Sequence, residues 1–240
     1  MNSKILWIIT ARSGSKSIPH KNIKLLSGLP LIAYKIKTAL SITDKKDLWV
    51  STDSKEYAEI SKEYGATIPF LRPEHLSTDN ASSVDVIHHC MNYAEKNNLD
   101  YDFIGMLEPT SPFVYFSYLK DALEKLNKYS DADAIVATRE VRPNSFFVQK
   151  DSKFLYEVGH RIKKLKNYGR QNFKKEITPS GGFYISRWNS FKSNNGFYSK
   201  RTLSFDLPIE CELEIDEPID WDLAEFLINN NSINYKKLWK

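Results

Sequence analysis

The chain has 240 residues, with 34 Lys and Arg against 30 Asp and Glu, a formal charge of +4. That length allows one large domain with an insertion, and so mild a charge argues against nucleic-acid binding. No apolar run reaches membrane-spanning length and no signal-peptide cleavage pattern follows the first residues, so a cytoplasmic protein with no membrane partner is expected. The two cysteines, Cys90 and Cys211, fit neither a disulfide framework nor a metal motif and read as reduced core thiols.

Ile5, Leu6, Trp7, Ile8 and Ile9 form a continuous apolar run, the pattern of a strand buried on both faces. The run breaks into Ala11-Arg12-Ser13-Gly14-Ser15-Lys16, with Pro19, Lys21 and Asn22 close behind. Small side chains let a phosphate approach backbone N–H groups. Arg12 can grip phosphate oxygens as a fork, and Lys16 and Lys21 add point charges. Cations at the end of a buried strand suit a triphosphate, because open α/β sheets bind ligands at the carboxyl ends of their strands. A solvated basic loop is the competing reading. Neither G-x-x-x-x-G-K-[ST] nor G-x-G-x-x-G is present, which argues against kinase and dinucleotide readings.

Gly28 and Pro30 mark a turn. A helix over 31–41 follows, with Ile32, Ile36, Ala39 and Leu40 on its apolar face. Residues 48–52 read as a second strand. Asp53 or Ser54 caps a helix carrying Tyr57, Ile60 and Tyr64, closed by Gly65. This strand–helix alternation predicts a mostly parallel sheet. Residues 66–70 read as a short strand. Ser82 or Ser83 caps the next helix, whose buried side holds Val84, Ile87, His88, Met91 and Ala94. The adjacent His88 and His89 point apart on a helix and do not make a metal pair.

Residues 102–107 form another strand, ending in Glu108-Pro109-Thr110-Ser111-Pro112, a loop fixed by its prolines. A helix over 115–129 and a strand over 134–137 come next. Between about 142 and 178 the alternation stops. Arg161, Lys163, Lys164, Lys166 and Arg170 cluster there, either as a solvated face or as a lid bringing charge to an anionic substrate. Gly181 and Gly182 open a further strand, at a point where backbone can approach a ligand. Residues 211–216 alternate polar and apolar, predicting a strand with Glu212, Glu214 and Asp216 on one side. Carboxylates so spaced are a plausible Mg²⁺ platform, with an exposed acidic edge as the alternative. Pro218 opens a closing helix with Ile219, Leu223, Phe226 and Leu227 on one face.

In their order along the chain these pieces resemble the acylneuraminate cytidylyltransferases, or CMP-sialic acid synthetases. The loop from Ala11 to Asn22 resembles A-R-G-G-S-K-G-I-P-x-K-N. Phe70-Leu71-Arg72-Pro73 with Asp79-Asn80-Ala81-Ser82-Ser83 resembles F-L-R-P…D-T-A-S. Glu108 to Pro112 resembles Q-P-T-S-P, Arg170-Gln171 with residues 179–185 resembles R-Q…P-N-G-A-I-Y-I, and Glu214-Ile215-Asp216 resembles D-I-D.

The resemblance implies an α/β, Rossmann-like nucleotidyltransferase fold in one domain spanning 1–240, with a small dimerisation flap inserted at about 142–178. It also implies a Mg²⁺-dependent reaction in which a sugar-acid hydroxyl attacks the α-phosphate of CTP, and a homodimer. Arg12, Ser15, Lys16, Lys21 and Asn22 would hold the triphosphate and base, with Arg12, Lys16 and Lys21 as the catalytic cations, and Arg72 and Ser83 would help bind the nucleotide. Glu108, Thr110, Ser111 and Arg170 would face the sugar acid, and Asp216 would carry the metal with Glu214 beside it.

Glu108 replaces a usual Gln, Thr178 an arginine, Glu214 an Asp and Ser17 a glycine. The first three leave the acceptor open among N-acetylneuraminic, legionaminic and pseudaminic acids. A same-fold nucleotidyltransferase for another sugar or sugar phosphate, and a non-catalytic nucleotide-binding module, are the alternatives.

Overall fold

The structure is a computed structural model and describes residues 3–141, 160 and 176–240. β1 (Ile5–Thr10) forms on the apolar run. Ile5, Trp7 and Ile9 enter one core, while Leu6 and Ile8 enter another on the opposite face. This period-2 division is that of a strand covered on both sides. A small hairpin, β2 (Leu25–Leu26) and β3 (Leu29–Pro30), turns through Gly28 at φ 85°. It leads into α1 (Leu31–Leu40), then β4 (Leu48–Ser51) and α2 (Lys55–Glu63). Ser54 caps α2 by accepting from the Tyr57 N–H.

α3 (Ser83–Lys96) is capped by Ser82, and β5 (Phe103–Leu107) and α4 (Phe116–Lys128) follow. β6 (Ala134–Val141), β7 (Glu176–Arg187), α5 (Trp188–Asn194), β8 (Thr202–Asp206) and α6 (Pro218–Asn229) complete the described elements. They build a six-stranded sheet ordered β4-β1-β5-β7-β6-β8, in which β7 alone runs against its neighbours. β1 pairs in parallel with β4 and β5. Gly105 of β5 lies opposite Trp7, and a Cβ there would stand 2.3 Å from the indole. A strand glycine is needed at that position.

Helices cover both faces. Ile32 and Ile36 of α1, Tyr57 of α2 and Leu119 and Ala122 of α4 pack on one side. Ile87, Cys90 and Met91 of α3 and Trp188 and Phe191 of α5 pack on the other. Each fully buried Leu or Ile contributes roughly 1.5–3 kcal/mol relative to exposure. Cys90 and Cys211 are free and buried, and burial pushes both thiols up to about 12, so they are inert. Among the described residues no helix is long and apolar enough to cross a membrane.

Four sequence expectations are corrected. Residues 66–70 form no strand, and only Thr67 bridges to Trp49. On α3, Val84 and His88 are half-buried, while Val86 and Cys90 are fully buried. Residues 212–216 are irregular, not a strand. On α6 the buried residues are Trp221, Ala224 and Ile228, whereas Ile219, Leu223 and Phe226 are exposed. The basic cluster 161–170, Arg170 included, lies outside the described residues, as does most of the segment 142–178. β6 and β7 bracket that segment, with Val141 opposite Glu176.

Candidate active site

The carboxyl ends of β1 and β5 open onto a cavity of about 300 Å³ lined by Thr10, Arg12, Ser15, Lys21, Asn22, Arg72, Ser83, Glu108 and Thr110. Six of the seven residues expected at the nucleotide therefore share one wall system. The seventh, Lys16, points to solvent and pairs with Asp79. A larger hollow of about 500 Å³ lies at the other end of these strands, around Lys4, Trp49, Tyr93 and Tyr101. It contains none of the residues singled out from sequence.

The loop after β1 is shaped by carboxylates. Asp53 accepts from the Ser13 N–H at 2.9 Å and the Ser13 hydroxyl at 2.8 Å. Asn22 Nδ2 donates to the Arg12 carbonyl at 3.2 Å. Asp79 accepts from Arg12 and pairs with Lys16, and these two cations hold its carboxyl below the usual range. Lys21 is buried, and its ammonium donates to the Ile215 carbonyl at 2.8 Å and to Asp216 Oδ1 at 3.2 Å.

Arg72 is also buried, which lowers its pKa. Its terminal nitrogens donate to the carbonyls of Ser51 and Leu76, and its backbone N–H donates to Thr52. It therefore clamps the end of β4, and its Nε is left as a buried donor without a partner. Ser83 opens α3, so the positive end of a 14-residue helix dipole borders the cavity.

Across the cavity, Glu108 follows β5. Gly181 lies against it: a Cβ there would come within 2.5 Å of both Glu108 Oε2 and Ser111 Oγ. The glycine expected to admit a ligand thus admits protein side chains. Ser111 and Ser180 hydroxyls are buried and unpartnered. The Ile215 N–H donates to the Thr110 carbonyl at 2.7 Å, and the Gly181 N–H donates to Glu214 Oε1 at 2.7 Å. Those bonds dock the 212–216 segment beside the cavity without strand pairing. Burial, then repulsion from Glu214, pushes Glu108 up to about 7; Lys35 opposes the shift and Asp216 adds to it.

Lys35 was not singled out by pattern, although it sits beside Ile36 on the helical face that the apolar spacing marks as buried. It has no exposed surface. Thr178 lies opposite Arg139 on β6, so an arginine stands across the strand from the position where the resemblance lacks one.

The chain matches the family described as Cytidylyltransferase over residues 6–237. It is 33% identical over 230 residues to a CMP-N,N'-diacetyllegionaminic acid synthase of Legionella pneumophila, covering 95% of this chain and 97% of that one. An N-acylneuraminate cytidylyltransferase of Streptococcus agalactiae is 34% identical over 222 residues, 91% of this chain; the match spans about half of that protein, 52%. Among solved structures, a CMP:2-keto-3-deoxy-manno-octonic acid synthetase complexed with CTP superposes with a TM-score of 0.66. It is 16% identical and matches over 95% of this chain and 100% of that one, a likeness of fold.

Proposed function

The chain belongs to the cytidylyltransferase family, and from that premise we propose that it transfers CMP from CTP to the anomeric hydroxyl of a nonulosonic, sialic-acid-like sugar acid. The observation that carries this reading is the single cavity in which Arg12, Ser15, Lys21, Asn22, Arg72 and Ser83 meet Glu108 and Thr110. In the reaction the sugar oxygen bonds to the α-phosphorus while the bond to the bridging oxygen breaks. Pyrophosphate departs and the hydroxyl proton is released. Such transfers depend chiefly on positioning and charge neutralisation. Arg12, Lys16 and Lys21 neutralise the phosphates, while Ser15, Asn22 and Ser83 supply polar contacts to the nucleotide. Arg72 holds the end of β4 in place for it. Glu108 and Thr110 form the acceptor wall with Ser111 buried beside Glu108, and Arg170 is assigned to the acceptor by the family resemblance.

The donor set fits Mg²⁺. Glu214 and Asp216 both repel the Glu108 carboxylate, and a divalent cation among them would relieve that repulsion. Among the described residues no group of three or more His, Cys, Asp or Glu forms a metal cage. Mg²⁺ needs only one or two carboxylates, with phosphate oxygens and water completing its shell. Asp216 would hold the ion with Glu214 beside it, and the ion would supply charge neutralisation at the phosphates.

A homodimer belongs to this reading, supported by the exposed apolar strip Ile219, Leu223 and Phe226 on α6. The buried free thiols support a cytoplasmic setting. Pyrophosphate release measured with each of the four NTPs plus a sugar acid tests the nucleotide. Turnover with CTP alone is expected. CTP binding without pyrophosphate release would favour the non-catalytic module.

A further inference from the structure

Lys35 carries an ammonium group into the core of α1, where no part of it is exposed. Burying such a group is strongly unfavourable unless it is hydrogen-bonded and its charge is answered. The hydrogen bond is to the Gly182 carbonyl of β7, at 2.7 Å. Glu108 is the carboxylate whose charge favours the buried ammonium most. Burial pushes Lys35 down to about 7, with Glu108 the foremost influence opposing that shift, and Lys35 is likewise the foremost attraction on Glu108.

The two groups sit on either side of the Gly181-Gly182 step. Glu108 Oε2 lies against Gly181, and Lys35 holds the carbonyl of the next residue. Glu108 reaches the cavity, whereas Lys35 lies sealed behind it. Among the described residues, the other charged or titratable groups that act on Glu108 are Lys21, Glu214, Asp216, Tyr184 and Tyr198. Glu214 and Asp216 repel it. Lys21 attracts it, but that ammonium is held by Ile215 and Asp216. Among the described residues Lys35 is the cation that acts on Glu108 most strongly.

We propose that Lys35 is a positioning residue that acts through Glu108: it anchors β7 at Gly182 and supplies the counter-charge that keeps the Glu108 carboxylate at the acceptor wall. A carboxyl held there offers an oxygen to acceptors that present a hydrogen-bond donor at that wall. This rests on the CMP-transfer reading above. Residues on opposite sides of one backbone step should also couple energetically.

The test is a double-mutant cycle of Lys35→Met, Glu108→Gln and the double variant. It is read by thermal midpoint and by KM for acceptor and for CTP separately. Lys35→Met should raise acceptor KM by about tenfold or more while CTP KM stays within about twofold. The double variant should have a higher midpoint than Lys35→Met alone, since it removes both buried charges. Additive midpoints, or parallel rises in both KM values, overturn the proposal. Should Lys35→Met not fold, recovery of folded protein in the double variant supports the pair. Failure of both variants, with Glu108→Gln at the wild-type midpoint, overturns it. If the wild type turns over no sugar acid, the CMP-transfer reading and the acceptor role fall together. The midpoint cycle then decides the charge pair alone.

Discussion

Asp79 occupies Arg12 and Lys16, the loop cations assigned to the triphosphate. A carboxylate and a phosphate compete for the same donors. Asp79→Asn is therefore expected to tighten CTP roughly two- to fivefold by titration calorimetry at low salt, with a smaller gain at high salt. Unchanged or weaker affinity would argue that Asp79 shapes the loop instead. Gly181 makes a second residue-scale case. Its missing Cβ leaves room for Glu108 Oε2 and Ser111 Oγ at 2.5 Å. Gly181→Ala should displace both and raise acceptor KM by about tenfold, with CTP affinity little changed. Equal losses for CTP and acceptor would place the damage elsewhere.

At the scale of elements, Asp133 joins the start of β6 to the turn before β8 and to α5. It accepts from Arg201 Nη2 and Ser199 Oγ, each at 2.7 Å, and from Ser190 Oγ at 3.1 Å. The Arg201 hydrogen bond is the main cause that holds its carboxyl down at about 2. A depressed folded value means the stabilisation is present above the unfolded value near 4 and is lost as pH falls through about 2. Asp133→Asn should lower the thermal midpoint at neutral pH, and the gap from wild type should close between about pH 4 and 2. A gap that persists at pH 2 would contradict that assignment.

How far these elements could be read from sequence follows from what shapes each one. β1 was legible because a doubly covered strand needs apolar residues without interruption, and Ile5 to Ile9 provide them. The 212–216 segment misled because its period-2 pattern has another origin. Ile215 turns into the core, Glu214 caps the Gly181 N–H and Asp216 meets Lys21, all without strand pairing. α6 misled because Trp221, Ala224 and Ile228 share a face as readily as Ile219, Leu223 and Phe226 do. Spacing alone does not say which face turns inward. At the site, strand-end loops announced themselves through small and cationic residues. Lys35 did not, since nothing in a helical Lys signals that its partner will be a carboxylate reached across β7.

At the scale of the whole molecule, the sheet gathers its working residues at one end, with helices sealing both faces. Among the described residues α6 presents an open apolar strip, where Ile219 is 71% exposed and Phe226 60%. If a second copy covers that strip, Phe226→Glu should shift sedimentation from dimer toward monomer, since a charge in an apolar contact is strongly disfavoured. An unchanged dimer would move the contact to another surface.

The proposed reaction is CMP transfer to a sugar acid within this one cavity. Its most direct test is pyrophosphate release with CTP and Mg²⁺ against N-acetylneuraminic, legionaminic, pseudaminic and 3-deoxy-manno-octulosonic acids and a sugar 1-phosphate. Turnover with a nonulosonic acid is expected, abolished when Mg²⁺ is chelated. Silence on every acid, with or without activity on the sugar phosphate, would contradict it.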